Sequence, residues 1–122
     1  MKKNFHISDI LTITDGRLVS FNGMDGVYDI LNFMTGDDLF THQLPRAMDI
    51  CQPVLQKQLP HVNFNDWKED INENNYKDAV NFVGNKHGFY FDVESCAEWK
   101  HIDPIQEAID IKGKDNVVVV NF

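Results

Sequence analysis

A stripe of large apolar residues in the first third of the chain forces a helix that has to be enclosed. Met24, Val27, Tyr28, Leu31 and Met34 recur at the spacing of one helix face. Ile30 and Phe33 widen that stripe over much of the cylinder, so the helix is expected at the centre of the fold. Gly36 follows where a left-handed stop is needed. The chain has 122 residues, 43% of them hydrophobic, with nine Phe and two Trp, which is enough for one such core. We read residues 1–122 as a single domain.

The flanking segments supply the enclosure. Residues 7–15 fit a short helix or turn stopped by Gly16, and residues 17–21 alternate as a strand does, before the turn signal Asn22-Gly23. Pro45 suits the first turn of another helix, with Ala47, Ile50, Cys51, Val54 and Leu55 inward. Pro53 within it would remove a hydrogen bond and crowd the carbonyl of Asp49, which predicts a kink or two short helices meeting near Gln52. Asn63 or Asn65 can cap a third helix over 66–83, its inner face formed by Trp67, Ile71, Ala79 and Val83. Residues 89–93 alternate and read as a strand.

The C-terminal part carries the sharpest local signal. Asp103 can cap a helix, Pro104 fits its first position, and Gln106 can reach back as in a capping box. Ile105, Ala108 and Ile109 then face inward, and Gly113 stops the helix. Val117 to Val120 follow as a run suited to a strand buried on both faces. Strand 89–93, helix 103–112 and strand 117–121 fit a right-handed βαβ unit at the C-terminus, or a neighbouring antiparallel pair. The fold class is α+β: a small sheet of two to four strands packed with four or five helices.

Several function classes drop out. No apolar run approaches the roughly 18 residues of a membrane span, and the basic start lacks the apolar stretch of a signal peptide. A net charge of −8 argues against direct nucleic acid binding, which needs clustered Lys and Arg. Cys51 and Cys96 match no metal spacing and are too few for a disulfide scaffold, so both read as reduced thiols of a cytoplasmic protein. The five histidines form no zinc pattern, and no phosphate loop, dinucleotide fingerprint or serine elbow is present. No metal and no cofactor is expected.

Two polar stretches remain. Between Gly36 and Arg46, His42 could act as a general base with Asp38 orienting it and Arg46 clamping an anion. The same residues serve equally as caps and pairs in a helix–helix connection, and we read His42 and Arg46 as structural. In the second stretch, Asp66, Glu69, Asp70 and Glu73 fall at i, i+3, i+4 and i+7, which would place four carboxylates on one face of helix 66–83. Residues 62–98 hold eight acids against three Lys. Such a face is either plainly solvated or fitted to a Lys/Arg-lined groove on a partner.

The segment from Leu11 to Val19 (LTITDGRLV), that from Tyr28 to Ala47 (YDILNFMTGDDLFTHQLPRA), and the ending from Asp103 to Val120 resemble a family of small uncharacterised proteins encoded by bacteriophages, prophages and mobile elements. The resemblance spans most of 7–59 and again 103–120, and residues 62–100 depart from it. It carries no activity. It implies a phage-type accessory protein in the cytoplasm of a bacterial host, acting by binding a host protein with a basic surface. Blocking a defence nuclease, as anti-CRISPR proteins do, is one such role. The residues leave two alternatives: a small enzyme centred on Asp38, His42 and Arg46, and a homodimeric assembly protein.

Overall fold

The computed structural model describes residues 2–112. The chain opens with strand β1 (Lys2–His6), then helices α1 (Ile7–Asp15) and α2 (Met24–Thr35). A short turn of tighter helix at Thr41–Gln43 leads into α3 (Leu44–Gln58). After a long irregular stretch come α4 (Tyr76–His87), β2 (Tyr90–Glu94) and α5 (Pro104–Lys112). The class is therefore α+β, with five helices and one two-stranded antiparallel sheet among the described residues. β1 and β2 pair from Lys2↔Glu94 to His6↔Tyr90.

The most enclosed helix is α1 rather than α2. Every residue from Ile7 to Thr14 is buried, with Ile7, Ile10, Leu11 and Ile13 in the core. α2 buries one face through Val27, Ile30, Leu31 and Met34, leaves Phe33 half-buried, and ends at Gly36 in the left-handed conformation expected there. α1 can be buried all round because its polar residues find partners at once. The Thr12 hydroxyl donates to the carbonyl of Ser8 at 2.9 Å and accepts the amide of Val19 at 3.1 Å. The Ser8 hydroxyl accepts the amide of Phe21, also at 3.1 Å.

Those two bonds explain why residues 17–21 do not become a strand of the sheet. Thr12 and Ser8 lie one helical turn apart, and Val19 and Phe21 two residues apart, so hydroxyls of α1 do the pairing a neighbouring strand would do. β1 was not legible as a strand because only Phe5 of its five residues is buried.

α3 runs through Pro53 as one helix and buries Leu44, Ala47, Cys51 and Leu55. It does not split near Gln52.

The third helix starts ten residues later than the pattern predicts. Residues 66–75 are turns and irregular chain, and α4 begins at Tyr76. Asparagines take the amides a helix would have used. Asn72 Oδ1 accepts from the backbone of Asn74 (2.8 Å) and Asn75 (3.1 Å), and Asn75 Oδ1 accepts from that of Asn72 (2.8 Å). Four carboxylates on one helix face would also repel one another, which removes any gain from helix formation there.

In α5, Asp103 caps as expected, accepting the amides of Ile105 (2.8 Å) and Gln106 (3.2 Å). Gln106 does not reach back; its amide donates forward to Asp110. The inward face is the opposite of the one predicted. Ile105 is 73% and Ile109 57% exposed, while Glu107 is buried. The anchor of this helix is polar: Glu107 takes two bonds from Arg46. The predicted strand 117–121, and with it the βαβ unit, lies outside the described residues.

Candidate functional site

The stretch from Asp37 to Arg46 is a clasp. Arg46 donates through Nε and Nη2 to both oxygens of Glu107, at 3.0 and 2.8 Å, and through Nη1 to the carbonyl of Lys100 at 2.9 Å. Its guanidinium lies over the ring of Trp99, 3.7 Å from the centroid. Gln43 adds a bond to Glu107 at 3.1 Å. Burial acts to raise the Glu107 carboxyl, but the bonds from Arg46 and Gln43 outweigh it and hold it below its usual range. His42 Nε2 donates to the carbonyl of Pro104 at 2.7 Å, which fixes its tautomer. Asp37 accepts from Trp99 Nε1 (2.7 Å) and His101 Nδ1 (2.8 Å), and these bonds hold its carboxyl low.

All these bonds run to residues 99–107. His42 and Arg46 are therefore spent on holding α5 and the chain leading into it. Asp38 is exposed and makes no hydrogen bond to His42, so Asp38, His42 and Arg46 do not come together as a proton-transfer set.

The four acids of the second stretch are all exposed, on irregular chain rather than on a helix face. Asp66 pairs with Lys86. Glu69, Asp70 and Glu73 form no ion pair among the described residues. Trp67 anchors the segment by packing edge-on against Phe82 of α4.

The thiols behave as expected of core residues. Burial pushes Cys51 up to about 12, with Cys96 as a further cause. Burial also raises Cys96, whose thiol donates to Glu98. Neither is poised as a nucleophile. No group of three metal-ligating side chains occurs among the described residues, and none of their helices is long and apolar enough to cross a membrane.

A third place went unread in the sequence. Asp9, in the first turn of α1, is only 5% exposed, and one of its oxygens accepts from the Ser20 hydroxyl at 2.5 Å. Burial raises its carboxyl, Ser20 and His6 act against that, and Asp29 adds to it. A β-carbon at residue 26 would collide with both Asp9 and Ser20, so Gly26 is what lets α2 lie against this pair. Asp9 lines an open depression of about 440 Å³ together with His6, Phe21, Asp29 and Tyr90. His6 Nδ1 accepts the amide of Ser8 at 3.1 Å and contacts its hydroxyl at 2.8 Å. Ser8 is buried, so this His/Ser pair is a helix cap and not an exposed nucleophile. The sequence signal was an acid set between Ile7 and Ile10, ahead of the apolar Ile10, Leu11 and Ile13.

Residues 5–65, half of the chain, match the family described as Domain of unknown function (DUF7736). No curated protein and no solved structure matches the chain.

Proposed function

The chain belongs to the DUF7736 family, and we propose that it acts by binding another protein rather than by catalysing a reaction. The observation that carries this reading is the segment Asp66, Glu69, Asp70 and Glu73. All four side chains are exposed, and three of them have no cation partner among the described residues. Exposed carboxylates without an ion pair, on a chain of net charge −8, favour a partner that presents Lys and Arg. A protein that normally holds nucleic acid is such a partner. This accords with the phage-type accessory role that the sequence resemblance implies, with a bacterial defence nuclease as target and the host cytoplasm as its place of action.

The test is capture of partners from a bacterial lysate by wild type and by a variant with these four acids changed to Lys. Loss of a specific basic partner by the variant, with association that slows as salt rises, supports the reading. Equal capture by the variant, with the same salt dependence, removes the segment from the interface.

Self-association is a second reading, favoured by the exposed Ile105 and Ile109 on α5. Sedimentation of wild type against Ile105→Asp tests it. A dimer that the substitution dissociates supports it, and a monomer at every concentration ends it.

A further inference from the structure

We propose that Cys51 and Cys96 form a redox latch, in which a peroxide joins them as an intramolecular disulfide that fastens residues 95–103 to α3. The two cysteines are far apart in the chain, and the fold brings them together. Cys51 shares one face of α3 with Leu55 and Gln58, at i, i+4 and i+7. Gln58 holds the chain as it leaves β2: its Oε1 accepts the amide of Glu94 at 2.9 Å, and its Nε2 donates to the carbonyl of the same residue at 3.3 Å. Two residues on, the amide of Cys96 donates at 2.7 Å to the carbonyl of Met34, near the end of α2, a helix packed against α3. The chain is thereby led inward along the face of α3 that bears Cys51. Both side chains end in the same core cluster, Cys51 fully enclosed and Cys96 6% exposed. Burial is the main cause that raises both thiols. Between them a hydrogen bond raises Cys51 further and works to lower Cys96, which makes the Cys51 thiol the donor and the Cys96 sulfur the acceptor. Sulfurs in that relation stand within a small side-chain rotation of bonding distance. The Cys96 thiol itself donates to Glu98 at 3.3 Å, an exposed carboxylate that water satisfies once the thiol proton is gone.

The peroxide meets Cys96 first, because Cys51 has no exposed surface. The Cys96 sulfur attacks one peroxide oxygen, the O–O bond breaks, and a sulfenic acid and one water result. The Cys51 sulfur then attacks the sulfenic sulfur. The S–S bond forms, the S–O bond breaks, and the leaving hydroxide takes the Cys51 proton as a second water. The two thiols have lost two electrons and the peroxide has gained them. Because burial keeps both thiols protonated, the first step is slow at neutral pH. The second step gains from a partner already in place. Such a pair stays open in a reducing compartment and closes under oxidative load. What it closes on is the chain that carries α5. Trp99 lies beneath the Arg46 guanidinium, the carbonyl of Lys100 accepts from Arg46, and His101 bonds to Asp37. All three contacts are non-covalent, and a bond from Cys96 to α3 adds a fixed point just ahead of them.

The test exposes the full chain to hydrogen peroxide, removes the excess with catalase, alkylates remaining thiols in denaturant and maps the peptides by mass. Expected are no alkylated cysteine, a linked pair of peptides containing Cys51 and Cys96, a monomer on a gel run without reductant, and recovery of both thiols with dithiothreitol. Closing so long a loop should raise the melting temperature by about 10 °C, and dithiothreitol should remove the rise. Hydrogen exchange at the amides of 97–103 should slow in the oxidised chain. Cys51→Ala should stop at the sulfenic acid, which dimedone traps at Cys96, and should show no rise in melting temperature. The wild-type measurements stand by themselves if that variant does not fold. Oxidation of Cys96 to the sulfinic acid with Cys51 still free, crosslinks only between copies, or an internal crosslink that leaves the melting temperature unchanged or lower would each overturn the proposal.

Discussion

Asp9 and Glu107 are carboxylates of nearly equal burial, 5% and 6% exposed, set in opposite surroundings. Glu107 receives both arms of Arg46 and the amide of Gln43, so both of its oxygens have donors inside the protein. Asp9 receives one hydroxyl, has a second acid nearby, and borders open space. Burial acts on both in the same direction. Partners reverse the outcome for Glu107 and fail to do so for Asp9. Burial alone thus does not set the state of an acid; the number and charge of its donors decide it.

The largest effect should come from stripping the satisfied acid of its cation. Arg46→Ala leaves Glu107 buried beside Gln43 alone, and we expect a loss of about 3 kcal/mol in a denaturant melt at neutral pH. A loss under about 1 kcal/mol would mean that Glu107 turns out to water and that the clasp contributes little.

Next in size is the single donor of the other acid. Ser20→Ala should cost about 1 kcal/mol at neutral pH and less in acid, where Asp9 is protonated and has less need of a donor. A cost independent of pH would mean that Ser20 acts by packing and not by its bond to Asp9.

The two acids should also differ in the sign of their pH dependence. Glu107 is lowered in the folded state, so its contribution is present above its unfolded value and is lost as pH falls through the folded one. Asp9 is raised, so its contribution is full below the ordinary value of 3.8 and is lost as pH rises through the folded one. Melting temperatures of Asp9→Asn and wild type should therefore coincide at the acid end. Toward neutral pH the variant should gain, by an amount on the order of 1 kcal/mol or less. A variant that loses ground as pH rises would show that Asp9 has a cationic partner in the folded chain.

The smallest effect belongs to the apolar side of α5. Ile105→Ser should change the stability of the monomer by no more than about 0.5 kcal/mol, since the helix is held through Glu107. A larger loss would show that isoleucine burial, and not the ion pair, fixes α5.

What could be read from the sequence was local. The stripe of α2 with its stop at Gly36, the cap at Asp103 and the strand expected at 89–93 and found at Tyr90–Glu94 are each decided by residues within a few positions of one another. What could not be read depended on distant chain. β1 is a strand because residues 90–94 lie beside it, and nothing in Lys2-Lys3-Asn4 announces that. The face of α5 was inverted because an arginine 61 positions earlier outweighs two isoleucines. The helix expected over 66–83 met a local competitor, the asparagine turns, that a carboxylate pattern does not reveal. His42 and Arg46 read as parts of a local helix–helix connection, whereas their bonds run to Lys100, Pro104 and Glu107, and the depression at Asp9 was invisible until α1, α2 and β2 converged on it.

The pairing of β1 with β2 has a consequence for synthesis. The first strand leaves the ribosome long before its partner, with more than eighty residues between Lys2 and Tyr90. At roughly 5–20 residues per second the strand waits several seconds with its edge unpaired. The contacts of Thr12 with Val19 and of Ser8 with Phe21 close over short loops and can form during that interval. Lys2 and Lys3 then act as gatekeepers on the nascent chain, since like charges at a bare edge discourage pairing with the edge of another copy until β2 arrives.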